Sequence, residues 1–496
     1  MSSLDTGYNL YLRVFAQAEN YSERIAFATP GKCLTYSQLQ TRVLQSALAF
    51  REKGIDARSC VALDARASLP ALTATLAFAL IGCKWVFASR EAQNKPLLFI
   101  THLVQDGPHN LSNRYKTIIM DETWHDRGTH GSKHTHASIA GRVEPERILV
   151  IGQSSGTTGE PKFFPITADN AVKRINPKYL LDPSPIPVVA SMFHILHSAI
   201  YFVLLRVLTK GGTVVFGINK AHWQEAGVTM LMASPMHAAQ IIEGRAGYAK
   251  GKIPRVWLAG SPIYPSFLDQ ALDHFDEVIN AYGAMEASIV CHQGIKHRMA
   301  EGEVVGVGPA MDDVVLEVVD ETGLPVNTGE VGEVRYKTPL LVTGYIGDDN
   351  ATRTFFRDGW FHPGDTGFLD AQKHLFITGR VNDLLNIGGT KLNAAAVDGV
   401  VQSITGVVDG ACFTEPGASG FAELSVVVVG PSVGDQDKTA GELLKRLAKQ
   451  FARRVVPHSV YFADVIPRNE NGKVLRAVAR QKAQAGEWHQ VTIADD

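Results

Sequence analysis

The most constraining feature of the chain is a recurring alternation of short apolar runs with segments of helical spacing. VALDA at 61–65 precedes LPALTATLAFALIGC at 69–83, and ILVIG, near 147–151, precedes a glycine-rich loop. TVVFG (213–217), TMLMAS (229–234) and RVWLAGS (255–261) are each followed by a helical pattern, and EVINAYG (277–283) ends the series. Strands that are apolar throughout, separated by helices, bury both faces and predict an α/β domain with mixed, largely parallel sheets. Residues 34–55 also show helical spacing behind a Thr35-Tyr36-Ser37 entry. The 69–83 run is shorter than the roughly 20 residues needed to cross a bilayer, so it reads as a buried helix.

At 496 residues the chain exceeds what one hydrophobic core supports, so two or more domains are expected. The texture changes from about residue 303, where VVLEVVDETGLPV and GEVRYKTPLLVTGY read as strands joined by Gly/Pro turns, a β-rich subdomain. HLFITGRVNDLLNIGG at 374–389 reads as a strand, a boundary and a second strand. A helix near 394–404, strands at 407–414 and 422–429 and a helix over Gly441–Arg454 then describe a small α+β unit. The boundary falls at about 381, giving domains 1–380 and 381–496, and there is no internal repeat.

With 45% hydrophobic and 20% charged residues and a formal net charge of −2, bulk electrostatics suggest neither a nucleic-acid nor a membrane-surface partner. Five cysteines (Cys33, Cys60, Cys83, Cys291, Cys412) lie far apart, with no C-x-x-C pair to indicate a disulfide framework or a zinc site. The N-terminal MSSLDTGYNLYLR lacks a basic segment followed by an apolar one, so a soluble cytoplasmic protein without membrane insertion is expected. HDRGTHGSKHTH holds His125, His130, His134 and His136, but Gly, Ser, Lys and Thr surround them and no Cys or carboxylate stands at ligand spacing. It reads as a solvated loop rather than a metal site.

GQSSGTTGEPK at 152–162 carries the chemistry. A Walker A loop needs lysine directly after the last glycine and a hydroxyl next. Here Glu160 and Pro161 follow Gly159 before Lys162, and Phe163 stands where the hydroxyl belongs, so that reading fails. What remains is physical. Gly156 and Gly159 permit close backbone approach, Ser154, Ser155, Thr157 and Thr158 supply hydroxyls, and Lys162 supplies charge. Alone, such a loop fits a connector as well as a phosphate grip.

Six further segments accompany it. In order they are FH at 193–194, AGSP at 259–262, NAYGAME at 280–286, GWFHPGDTG at 359–367, GRVNDLLNIGG at 379–389 and PRNENGKVLR at 467–476. Together with SSGTTGEPK they resemble the motif series of the adenylate-forming superfamily, most closely in the style of its acyl- and aryl-CoA synthetases. The resemblance runs from about 20 to 480 and is weakest between 86 and 145.

The resemblance implies ATP, Mg2+ and CoA as cofactors and a small, mobile C-terminal lid domain. Ser154, Ser155, Gly156, Thr157, Thr158, Gly159 and Lys162 would grip the phosphates. Gly260, Ser261, Pro262, Asn280, Ala281, Tyr282, Gly283 and Met285 would surround adenine, with Tyr282 stacked on it. Asp365 would accept the ribose hydroxyls and Arg380 would reach the ribose or phosphate. Glu286 would bind magnesium, and Thr158 and His194 count with Glu286 and Lys473 as catalytic. Lys473 would enter the site in one conformation as pyrophosphate departs. Asn382 stands at the hinge, Gly388 and Gly389 would let a pantetheine arm pass, and His194, Ala259, Ala281, Gly283 and Ile289 would line the acyl pocket. Read without that context, Asp365 is a turn aspartate, Glu286, following an apolar strand and a Tyr-Gly turn, a helix N-terminal glutamate, Tyr282 and His194 packing residues, and Lys473 a solvated lysine.

Four positions depart from the family pattern. Met285 and Asn382 replace a usual threonine and a usual aspartate or lysine, Phe163 a usual glycine, and Ala396 a usual glutamate. Phe193-His194 carries no carboxylate to hold an ammonium, which disfavours an α-amino acid, and an apolar monocarboxylic acid, aromatic or of short to medium chain, fits best. The expected activity is an acid:CoA ligase acting through an acyl adenylate. The alternatives are transfer to a stand-alone acyl carrier protein or another acceptor, and a degenerate nucleotide-binding homologue.

Overall fold

The computed structural model describes residues 7–87, 92, 95, 98–107, 115–120, 124, 135–154, 161–217, 220–243, 251–263, 265–299, 304–381, 384–387, 390–416, 422–430, 432–451, 457–468 and 474–492. Two large sheets dominate. In the first, six parallel strands run in the order Phe275–Ala284, Ile253–Leu258, Met230–Ala233, Val188–Ser191, Thr213–Val215, Ile25–Thr29. Antiparallel strands Ser288–Ile295 and Lys32–Thr35 close its two edges. In the second, Lys116–Ile119, His102–Gln105, Cys60–Asp64, Lys84–Phe87 and Ile148–Ser154 are parallel, and Lys162–Thr167 returns antiparallel.

Helices Tyr36–Glu52, Ser68–Ile81 and Ser198–Thr209 fill the space between these sheets. Tyr36–Glu52 begins at a capping box, in which Thr35 and Gln38 satisfy each other's backbone N–H groups. It turns Leu39, Val43, Ala47 and Phe50 into the shared core with Phe27 of one sheet and Val61 of the other. Ser68–Ile81 is buried on nearly every face, as its apolar run required, and stops at Gly82, whose φ of 79° a side chain would resist. Among the described residues no helix is long and apolar enough to cross a membrane.

A third, antiparallel sheet contains Gly332–Lys337, Asp365–Leu369 and Leu375–Arg380 and encloses its own apolar cluster around Val334, Tyr336 and Phe361. It matches the β-rich reading with one correction. Only Gly332–Lys337 of GEVRYKTPLLVTGY is strand, and a helix, Asp349–Phe355, follows behind the cap Asp348. Beyond Arg380 come a two-stranded ribbon and a four-stranded sheet, Asp409–Pro416, Ala422–Val429, Ser459–Phe462 and His489–Thr492. Helix Ala394–Gln402 lies as expected. The next helix is Gln436–Phe451, beginning five residues before the expected Gly441, because Gln436, Thr439 and Ala440 are already buried in its first turns.

Candidate active site

Parallel strands deliver the residues that follow them to one end of a sheet, the usual ligand edge of α/β folds. Register shows that the motifs exploit this. Ala190 pairs with Leu231, Ala233 with Leu258 and Leu258 with Asn280, so Phe193-His194, Ser234, Ala259-Gly260-Ser261-Pro262 and Ala281-Tyr282 emerge side by side, and the last strand runs on to deliver Met285-Glu286 beyond them. His194 also ties the two sheets together. Its Nε2 lies 3.1 Å from the carbonyl of Arg66, just past the strand Cys60–Asp64, and its Nδ1 accepts from the Leu196 N–H. Phe193 adds an edge-on contact with His237.

The glycine loop is held at its base. Ser154 pairs with Lys162 across an antiparallel ladder, so the loop joins strand to strand. A Walker loop opens a helix, which explains why its lysine spacing was absent. Lys162 extends over the ring of Phe355 at 5.4 Å. Phe163, one of the departures, is buried, and its carbonyl accepts from the Ile346 N–H at 2.7 Å. Ser155, Gly156, Thr157, Thr158 and Gly159 lie outside the described residues, as do Asn382, Gly388, Gly389 and Lys473.

Asp365 begins its strand behind Gly364, whose φ is 79°, and is buried. Arg380 is its partner in the ladder, with Nε 2.9 Å from Oδ1. The Tyr282 hydroxyl donates to Oδ2 at 2.6 Å. Burial, reinforced by the Asp365 charge, pushes the Tyr282 hydroxyl well above its usual range and keeps it a donor. The three motifs carrying Tyr282, Asp365 and Arg380 thus converge on one carboxylate.

The Tyr-Gly pair of NAYGAME is not a turn. The strand runs through it to Ala284, and the turn comes at Met285, Glu286 and Ala287. Gly283 is needed because a Cβ there would stand 2.1 Å from the Ser288 carbonyl oxygen. Asn280 is buried with its amide donating to the Gly306 carbonyl, and Ala281 and Ile289 belong to the main core. Met285 packs against that same core, so its apolar side chain has a packing role where the family usually places a hydroxyl.

Glu286 is buried and accepts at Oε1 from the Tyr345 hydroxyl at 2.9 Å; among the described residues its Oε2 accepts no hydrogen bond. Its backbone carbonyl accepts from Arg174 Nη2 at 2.8 Å and from the Val342 N–H at 3.0 Å. Arg174 and Arg206, both fully buried, continue inward from it. Burial disfavours the charge on each, and the Glu286 carboxylate opposes that effect at Arg174. Among the described residues no cluster of three or more His, Cys, Asp or Glu could hold a metal alone. One oriented carboxylate, whose Oε2 accepts no hydrogen bond among the described residues, instead fits Mg2+, which takes one or two carboxylates and completes its shell with waters and phosphate oxygens.

Arg174, Arg206 and Tyr345 carried no signal in the sequence, since they meet Glu286 and its turn only through long-range contacts. Of the four histidines near 125–136, His136 alone is described. Its ring stacks on Tyr11 and its Nε2 lies 2.9 Å from the Gln40 carbonyl, a packing role.

A family model described as "AMP-binding enzyme" matches residues 14–346. Among curated proteins, the 2-succinylbenzoate–CoA ligase of Enterococcus faecalis is 29% identical over 251 residues, an alignment that spans only half of either chain. The indoleacetate–CoA ligase of Aromatoleum aromaticum is 25% identical over 92% of this chain and 95% of its own. Among solved structures, ATP-bound MatB from Rhodopseudomonas palustris superposes with a TM-score of 0.81 at 23% identity, covering 96% of this chain and 99% of that one. At that identity the likeness is one of fold.

Proposed function

The chain belongs to the family of AMP-binding enzymes, and on that premise we propose that it is an ATP-dependent acid:CoA ligase working through an acyl adenylate. The observation that carries this reading is the Asp365 carboxylate, held between Arg380 and the Tyr282 hydroxyl beside the ligand edge. The coenzyme A ligases among its relatives support CoA as the acceptor.

A carboxylate is a poor electrophile, so it first attacks the α-phosphorus of ATP. The bond to the bridging oxygen breaks, pyrophosphate leaves, and the thiol of CoA then displaces AMP from the acyl carbon. Asp365 is suited to accept the ribose hydroxyls, Tyr282 to lie against adenine, and Lys162 with its loop to neutralise phosphate charge. Mg2+, when bound, would neutralise the phosphates further, with Glu286 as its protein ligand. Lys473 would stabilise the charge that develops as pyrophosphate departs.

The acid we propose is an apolar monocarboxylic one, aromatic or of short to medium chain, lodged among His194, Ala259, Ala281, Gly283 and Ile289. We also divide the chain into domains 1–380 and 381–496. Separate apolar clusters support this division, since those of the C-terminal part draw on no residue before Leu385.

Acid-dependent exchange of pyrophosphate into ATP across a panel of carboxylic acids tests the first half-reaction. No exchange with any acid would favour a non-catalytic homologue. Exchange without CoA-dependent release of AMP would move the acceptor to a carrier protein or another nucleophile.

A further inference from the structure

The turn that presents Glu286 is strapped by buried polar groups from three distant segments. Arg174, on the helix Ala168–Arg174, donates to the carbonyls of Met285 at 3.1 Å, Glu286 at 2.8 Å and Leu340 at 2.8 Å, while its Nε donates to Asn170 Oδ1. Arg206, on the helix Ser198–Thr209, donates to the Arg174 carbonyl and, at 3.2 Å, to the hydroxyl of Ser288. Ser288 itself adopts φ 66°, a conformation that a non-glycine residue holds only under external constraint. On the far side Tyr345 donates to the carboxylate itself.

Two guanidinium groups taken wholly out of water are expensive, and well-packed apolar side chains would fill the same space at lower cost. What an apolar replacement could not do is aim donors at the carbonyls of Met285 and Glu286 in the turn and of Leu340 in the segment beside it. A planar guanidinium does so with little freedom left over.

We propose that Arg174 and Tyr345 are positioning residues that fix the Glu286 carboxylate in the orientation needed to take a divalent cation, with Arg206 bracing Arg174. The proposal rests on the reading of Glu286 as the cation's protein ligand. Tyr345 commits Oε1, and Oε2, which accepts no hydrogen bond among the described residues, is the oxygen that would meet the metal. Arg174 fixes the backbone from which that carboxylate projects.

The experiment measures Mn2+ binding by the electron-paramagnetic-resonance signal of the free ion, using the full chain with α,β-methylene-ATP present. Partners that orient a metal ligand commonly contribute 10–100-fold in affinity, so Tyr345→Phe should weaken Mn2+ by roughly tenfold. Arg174→Lys, which cannot span the three carbonyls, should weaken it at least as much. Binding of AMP in the absence of metal, read by equilibrium dialysis, should change less than about twofold in both, which a general loosening of the fold would not allow. Mn2+ affinity within about twofold of the parent in Tyr345→Phe overturns the proposal, and this variant decides the matter if Arg174→Lys does not fold. Glu286→Gln separates the layers. Unchanged Mn2+ binding there removes the metal-ligand reading itself, whereas weakening there but not in Tyr345→Phe removes only the positioning role.

Discussion

Asp365 and Arg380 stand opposite one another across an antiparallel strand pair, with Arg380 Nε 2.9 Å from Asp365 Oδ1. The ladder places them there, and the Tyr282 hydroxyl takes the remaining oxygen. A carboxylate oriented from two sides is suited to hold the two hydroxyls of a ribose.

Removing that carboxylate should weaken nucleotide binding more than removing its tyrosine partner. Hydrogen bonds to charged groups contribute about 1.5–3 kcal/mol, so Asp365→Ala should raise the KM for ATP roughly tenfold or more. Tyr282→Phe deletes only one donor, which water can replace, and should raise it roughly two- to fivefold. Pyrophosphate exchange rates measured against ATP concentration check both. Equal KM values in Asp365→Ala and the parent would sink the ribose assignment.

Gly283→Ala places a Cβ 2.1 Å from the Ser288 carbonyl oxygen, a backbone atom with no freedom to retreat. Overpacking of this kind costs about 1–3 kcal/mol, and here it also displaces the turn bearing Glu286. The expected result is a lower Tm together with impaired pyrophosphate exchange. A variant as stable and as active as the parent would show that the strand can part from its neighbour at this point.

Lys473→Ala should depress adenylate formation strongly while thioester formation from preformed acyl adenylate largely survives. Single-turnover assays of each half-reaction read this directly. Equal loss of both would remove the lysine from its assigned step.

The thiols give a pH prediction. Burial pushes Cys60 up to about 11 and Cys291 up to about 12, and raises Cys83 and Cys412 as well. A raised value means that the folded chain keeps protons the unfolded chain would lose. Their contribution to stability is therefore complete below the unfolded thiol value, about 8.5, and falls as pH rises through the folded values. Cys291→Ala should show a shallower loss of urea stability between pH 9 and 11 than the parent. At pH 8 a disulfide reagent should titrate one thiol in the native chain, the exposed Cys33, and five after denaturation.

The order of motifs and the alternation of strand and helix were legible because both depend on local signals. Apolar runs bounded by turns mark strands, Thr35 with Gln38 marks a helix start, and Gly82 marks a helix end. The helix Asp349–Phe355 was missed because it buries little, with Ala351 as its one buried residue, and so leaves no periodic pattern. The continuation of the EVINAYG strand through Gly283 to Ala284 left no signal, because a glycine beside a tyrosine looks like a turn. Here the glycine serves the close approach of a neighbouring strand instead.

The sequence by itself determined that the chain is α/β, that its glycine loop is no Walker loop, and that seven segments in order resemble an adenylate-forming enzyme. Tertiary structure alone decided how those segments act on one another. It put Tyr282 on Asp365 across 83 residues, Tyr345 on Glu286 across 59, and Arg174 on the Glu286 carbonyl across 112. It also gave Met285 to the core. Contacts of this range arise from sheet register and from the packing of helices between two sheets. A buried arginine is tolerated only where folded main-chain oxygens stand ready to replace its water, and no local stretch of sequence records where those oxygens will be.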